Sequence, residues 1–261
     1  MKKQIVLTVI FVFIFQCSSF GQGSAYCGPY VVKSPLKWDN VHNQTINKLK
    51  ITNPSGHCIK LTNCSNITII NCKLGPSKNE GVYLYHCKNI LITNCTMDSI
   101  DSGVVADGCT GIKITHNDVK NVQGPLPRGQ MVQFGNVYGP GNCINYNVGE
   151  NIFGQSYPED EISLYMSNGT AKDPIQITGN WIRGGGPSNS GGGIMTGDKG
   201  GSYILVQDIY WLIPVNTELP LQVGIILLSG TTRFIQGNYH SAILVFQHIN
   251  NIRSVVSQIQ L

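Results

Sequence analysis

Carboxylates, glycines and a few tyrosines gather at separate places along this chain, and they are the residues whose types suit chemistry. Asp98, Asp101 and Asp107 fall within one short stretch. Two carboxyl groups held about 5 to 9 Å apart serve glycosidic hydrolysis, one as acid and the other as base or nucleophile. Asp101 and Asp107 are the candidate catalytic pair, although aspartate beside glycine also builds ordinary turns. Glu159-Asp160-Glu161 offers oxygen ligands for a hard cation such as calcium, or else a solvated loop. Gly197-Asp198-Lys199-Gly200 follows two glycine runs. Glycine lets a backbone approach a ligand closely, so Asp198 and Lys199 are candidate sugar contacts, with a tight turn as the alternative. A β-eliminating lyase needs a base and a cation beside a uronate carboxylate, and Arg128, Arg183 and Lys199 are the positive groups at hand. Arg128 is the candidate base or clamp.

Aromatic and metal-binding types add less. Tyr83 and Tyr85 alternate with Val82 and Leu84, so both face outward if that segment is a strand, and Tyr165 joins them from later in the chain. Outward aromatic rings stack on sugars. His57, His86 and His116 do not share one repeat position, which argues against a histidine metal stack. No C-x-x-C pair is present, so cysteine metal binding is not expected.

The elements that must position these groups are legible as a repeat. Cys64-Ser-Asn-Ile67-Thr-Ile69-Ile-Asn-Cys72-Lys-Leu74 is echoed from Cys87 to Met97 and again from Cys109 to Val119, at spacings of 22–23 residues. A fixed period of that size means one short unit stacked many times. Each copy has β-branched runs separated by Asn, Gly and Cys, too short for a helix, which is strand and tight-turn chemistry. A parallel β-helix follows, with coils of about 22–25 residues and roughly 4.8 Å between coils. Ile67, Ile90, Ile112 and Ile175 are expected in one inward row, and Ile69, Ile92, Ile114 and Ile177 in the next. Cys72, Cys95, Asn117 and Asn180 are expected to share one turn position, and Cys64, Cys87 and Cys109 another as stacked reduced thiols. Cys27 with Cys58 is the expected disulfide.

The I-x-I-x-x-[NC]-x-[IVLM] coil with its glycine-rich turns resembles the right-handed parallel β-helix repeat of the pectate-lyase-like superfamily, from about Asn47 to Gln207. That resemblance implies an elongated ligand lying on an exposed sheet face bounded by loops. It includes lyases, hydrolases, epimerases and adhesins, so fold alone selects no activity. The Asn-Thr-Asp, Asp-Asp, Gly-His-Gly and Arg-Ile-Lys set of polygalacturonase-like hydrolases is absent. Gly111-Ile112-Lys113 only grazes its last element. Gln123 to Arg128, Gly135 to Pro140, Gln155 to Asp160 and Gly184 to Gly193 are the longest departures from the coil, and they mark the expected groove side.

The two ends depart from the repeat. Met1-Lys2-Lys3, the apolar run Ile5 to Phe15 and Ser19-Phe20-Gly21 read as an export signal over residues 1–21. The apolar run is short of the roughly 20 residues of a membrane span. Cys17 raises a lipoprotein alternative, but the residues ahead of it lack the small side chains such processing prefers. The expected location is therefore secreted or cell-surface, in a bacterium. Charged residues are 12% of the chain and the net charge is +4, with no concentrated basic stripe to bind nucleic acid. The β-helix domain is expected over 22–207. From 208 to 261 the pattern lapses, and two prolines fall where a coil should continue. Trp211 to Val223, WLIPVNTELPLQV, regrouped by one base with suitable codons, reads LVNTGEYGIAVAG, which has the form of a next coil. The tail is thus an irregular terminus or a displaced reading frame. The sequence leads us to expect a secreted solenoid that binds, and in one version cleaves, an acidic or neutral polysaccharide or cell-surface glycan by lyase or hydrolase chemistry. The alternative is a non-catalytic surface, adhesion or structural solenoid.

Overall fold

The computed structural model describes residues 23–24, 26–125, 127–152, 154–183, 193–214, 223–228 and 232–234. The expected export signal, residues 1–21, and most of the Gly184 to Gly193 stretch lie outside them. Every regular element described is a strand, and the strands sort into three sheets that run the length of the molecule. The first, called here the site sheet, stacks Leu36–Asp39, Ile59–Thr62, Val82–Tyr85, Val104–Asp107, Val132–Gly135, Ile162–Asn168 and Ile194–Ser202, all in parallel. In each coil the chain turns from it into a second sheet, through strands such as Ser65–Ile70 and Lys88–Thr93. It then enters a third sheet, through strands such as Lys73–Ser77 and Thr96–Asp98, before returning. This is the parallel β-helix that the repeat requires.

The corners explain the asparagines. Asn63, His86 and Asn136 at one corner, and Asn71, Asn94, His116 and Tyr146 at the next, have positive φ between 51° and 58°. Asn tolerates that left-handed geometry better than other side chains. Beyond each corner one residue turns inward. Cys72, Cys95, Asn117, Asn147 and Asn180 form the inner column expected of that position, with Asn147 an added member. Cys72 N–H donates to Cys95 Sγ at 3.4 Å, Cys95 N–H to Asn117 Oδ1 at 3.0 Å, Asn117 N–H to Asn147 Oδ1 at 3.0 Å, and Asn147 N–H to Asn180 Oδ1 at 2.9 Å. A column of amides and thiols therefore satisfies backbone donors that no strand can reach.

Isoleucine rows fill the interior. Ile69, Ile92, Ile114, Ile144, Ile177 and Val206 are in register through six coils, each 2% exposed or less. The neighbouring row runs Ile67, Ile90, Ile112 and then passes through Asn142 before Ile175. Asn142 Oδ1 accepts from Ile112 N–H at 2.8 Å, so the amide patches the ladder where the coil widens. Cys64, Cys87 and Cys109 are buried reduced thiols. Cys27 and Cys58 are not joined in a disulfide: Cys58 is buried and donates from Sγ to the Ile51 carbonyl at 3.4 Å, whereas Cys27 is on the surface.

Coil length is not constant. Site-sheet strands begin at Ile59, Val82 and Val104, then at Val132, Ile162 and Ile194, so the step grows from 22–23 residues to 28, 30 and 32. The extra residues enter chiefly where the third sheet returns to the site sheet. In the third sheet parallel pairing continues through Ile209–Pro214, beyond the expected limit at 207, and then Val223–Leu228 pairs antiparallel.

Candidate functional site

Alternation on the site sheet leaves every second side chain outside. Register places Tyr85, Asp107, Gly135, Tyr165 and Asp198 in one outer row, one residue from each of five consecutive coils. Neighbours in such a row are about 4.8 Å apart. Gly135 leaves a gap in it. A Cβ added there would lie 3.3 Å from Asp107 Oδ1, so the Asp107 carboxylate leans over the gap. The gap opens into a cleft of about 620 Å³ lined by Asp107, Arg128, Gln133, Tyr165 and Asp198, with Glu159 and Asp160 on its loop side. Asp198 reaches the row because the last strand carries a bulge: Ser163 pairs with Met195, but Tyr165 pairs with Asp198. One extra residue re-aims a side chain, as bulges do. Lys199 then stands over the Tyr165 ring, its ammonium 5.7 Å from the centroid.

Two loops build the cleft's wall. Arg128 N–H donates to the Pro125 carbonyl at 2.9 Å, closing the turn that presents the guanidinium. Gly129 has φ +113°, and a Cβ there would lie 2.8 Å from Glu159 N and 2.9 Å from the Tyr157 carbonyl, so only glycine lets the two loops meet. Arg128 Nε donates to Glu80 Oε1 at 2.9 Å and Nη1 to Gln133 Oε1 at 2.7 Å. Glu80, 4% exposed, also lies 2.6 Å from His57 Nδ1. Burial alone would raise the Glu80 carboxyl, but contact with His57 and Arg128 outweighs it and holds the group below its ordinary value. Asp101, half-buried beside them, is pushed up to about 6, first by burial and then by the Glu80 charge, with Arg128 and His57 pulling the other way. Environments that drive two carboxyls apart in this manner leave one ionised and the other able to hold a proton.

The structure gathers some of the expected residues and separates others. Tyr85, Tyr165, Asp107, Asp198 and Lys199 meet along the outer row, and Arg128 forms the cleft wall. Asp101 lies ahead of the strand Val104–Asp107 and Asp107 at its far end, where its carboxylate accepts from Asn136 Nδ2 at 3.1 Å. The strand alone puts about 10 Å between its ends. The two are not neighbours across a reacting bond. Arg128, expected as a base or clamp, donates to two acceptors within the protein, and a guanidinium that stays protonated is poorly suited to act as a base. Tyr83 is half-buried and flanked on the sheet: His57 stacks on it with ring centroids 5.1 Å apart, and Lys60 lies 5.3 Å from its centroid. Glu159, Asp160 and Glu161 diverge, because Glu161 turns into the interior while the other two line the cleft. Among the described residues no three His, Cys, Asp or Glu side chains group to hold a metal.

Glu80 and Gln133 were not picked out from the sequence, and His57 was weighed there only as a metal ligand. A signal for Glu80 and His57 exists: the position two residues before each site-sheet strand is polar in five successive coils, His57, Glu80, Ser102, Gln130 and Asp160. It becomes visible only once the strand starts are known.

A family model described as a right handed beta helix region matches residues 36–209. A search of curated proteins returned no match. Among solved structures, the chain is similar to a hyperthermoactive exopolygalacturonase from Thermotoga maritima, at 16% identity over 74% of this chain and with a TM-score of 0.34. The chain spans 56% of that enzyme's length, and a likeness at this level bears on neither activity nor substrate.

Proposed function

Since the chain belongs to the right-handed β-helix family, we propose that it binds a polysaccharide chain laid along the solenoid axis on the outer face of the site sheet. The observation that carries this reading is the outer row itself: Tyr85, Asp107, Gly135, Tyr165 and Asp198 repeat along the axis, with a gap at Gly135 beside an aromatic ring. A pyranose repeats at roughly the length of one coil step, and an aromatic platform flanked by carboxylates suits its apolar face and hydroxyls together. Sheet-borne groups hold such positions more rigidly than loops. Tyr165→Ala removes the platform without touching the core. It should weaken binding of a preferred oligosaccharide at least about tenfold, an effect of roughly 1.4 kcal/mol, read by calorimetry. Undiminished affinity would remove the reading.

Cleavage is a second reading, and Asp101 is what favours it. A carboxyl that keeps its proton to about pH 6 beside an ionised Glu80 has the character of a general acid. Against it, Asp107 and Asp198 stand three coils apart, about 14 Å, too far for a shared glycosidic bond. If Asp101 is the acid, wild type shortens oligosaccharides and Asp101→Asn loses at least about a hundredfold in rate with binding intact. Equal turnover by the variant would assign Asp101 a structural role.

A further inference from the structure

The cleft's charge is opposite to that of the whole chain. The protein carries a net charge of +4, but among the described residues the cleft is lined by Asp107, Asp198, Glu159 and Asp160 and by one cation, Arg128. That cation donates to Glu80 and Gln133, so much of its hydrogen-bonding capacity is committed within the protein. Lys199 stands over the Tyr165 ring. Asp107 and Tyr165 flank the gap at Gly135 along the axis, and Asp198 follows one coil beyond Tyr165. A chain of uronates laid there would bring one carboxylate per sugar against fixed carboxylates, and like charges at this range repel.

Building on the polysaccharide reading above, we propose that the cleft selects by charge, that Asp107 and Asp198 set the selection, and that the ligand is an amino-sugar chain carrying free ammonium groups rather than a polyuronate. An ammonium seated in the Gly135 gap, between Asp107 and Tyr165, meets a carboxylate and the edge of an aromatic face, two contacts that favour a cation. Asp198 adds a second carboxylate one coil beyond the ring. Both carboxylates lie on an open sheet face, so the preference is one that salt screens.

The test uses three hexasaccharides of equal length at about pH 5.5: a glucosamine hexamer, its fully N-acetylated counterpart and a galacturonate hexamer. Binding to the wild type is measured by calorimetry in low and high salt, and repeated for Asp107→Asn/Asp198→Asn and for Tyr165→Ala. The expected order is glucosamine tightest, N-acetylated weaker by about tenfold, and galacturonate undetectable. The first difference should shrink to less than about threefold in high salt, where the screening length is a few ångströms. The double variant should bind the two glucosamine-type hexamers equally, and Tyr165→Ala should weaken both. Galacturonate binding as tight as glucosamine in the wild type, and lost in Tyr165→Ala, overturns charge selection while leaving the polysaccharide reading in place. A glucosamine preference that survives the double variant overturns the assignment to Asp107 and Asp198. Failure of all three hexamers to bind, or binding indifferent to Tyr165→Ala, overturns the polysaccharide reading itself. Should the double variant fold poorly, the salt dependence of the wild type alone still decides whether charge selects.

Discussion

Glu161 is the residue whose behaviour the fold dictates most sharply. It follows two cleft-lining acids, yet the corner ahead of the strand Ile162–Asn168 turns it inward, where it is 1% exposed beside Met131 and Gly149. Asn151 Nδ2 donates to its Oε1 at 2.8 Å, and Oε2 has no partner. Burial pushes this carboxyl up to about 8, with Asp160 adding a little and Asn151 opposing. The folded chain therefore keeps a proton that the unfolded chain releases near pH 4.5. The stability that proton confers is fully present below about 4.5 and is lost progressively as pH rises to about 8. Glu161→Gln keeps the acceptor for Asn151 and removes the titration. At about pH 5 the variant and wild type should melt together. By about pH 8 the variant should be more stable by a few kcal/mol, since each tenfold difference in proton affinity between the folded and unfolded chain is worth about 1.4 kcal/mol. Melting curves at several pH values check this, and parallel curves would mean that Glu161 is ionised in the interior. The same inward turn separates the acid triplet that reads as a calcium loop on paper: Glu161 is withdrawn into the interior while Glu159 and Asp160 line the cleft.

At the scale of the element, the inner column behaves as an exchange of equivalent parts. Cys95 accepts Cys72 N–H and donates to the Ile69 carbonyl at 3.8 Å, while Asn117 accepts Cys95 N–H and donates from Nδ2 to the Ile92 carbonyl at 3.0 Å. Thiol and amide thus fill one office, the amide with shorter bonds. Asn117→Leu leaves buried backbone groups without partners and should cost about 3 kcal/mol, whereas Asn117→Cys should cost roughly half as much. Denaturant unfolding distinguishes them, and equal losses would mean that the column packs rather than bonds. This column was legible in the sequence because Cys72, Cys95 and Asn117 recur at the 22–23-residue period and only a small polar residue fits there. The outer row was not, although its members were picked out one by one. After Lys120 the coil step lengthens to 28 residues and more, and the bulge before Asp198 adds one further residue, so no fixed offset links Asp107 to Tyr165 or Tyr165 to Asp198. Glu80 and His57 escaped for a related reason: 23 residues separate them, and neither has meaning without the Arg128 loop from two coils later.

Across the whole molecule the open question is how the stack ends. Parallel pairing is unbroken from Leu36–Asp39 to Ile194–Ser202 in the site sheet and reaches Ile209–Pro214 in the third. There the direction reverses: Val223–Leu228 runs antiparallel to Ile209–Pro214, and Thr232–Phe234 antiparallel to Ile204–Gln207. A reversed strand satisfies the edge of the last coil without offering a new coil to build on, and that is one way to cap a solenoid. Yet the residues that follow Gln207 lack the recurring Asn and the apolar alternation of the preceding repeats, and with suitably chosen codons a one-base regrouping of Trp211 to Val223 gives a turn and an alternating Gly-Ile-Ala-Val-Ala-Gly. A displaced base and an irregular terminus both account for a loss of pattern at one point, and the gene sequence separates them. We expect sequencing of the gene across codons 200–261 to reveal a one-base insertion or deletion near codon 208. The corrected chain, expressed, should melt higher than this one, because its next coil would bury the apolar edge in parallel register. An intact frame would make the antiparallel pairs a genuine cap. Ending the chain at Gln207 should then expose that edge and cause association, visible as a rise in scattered light on concentration.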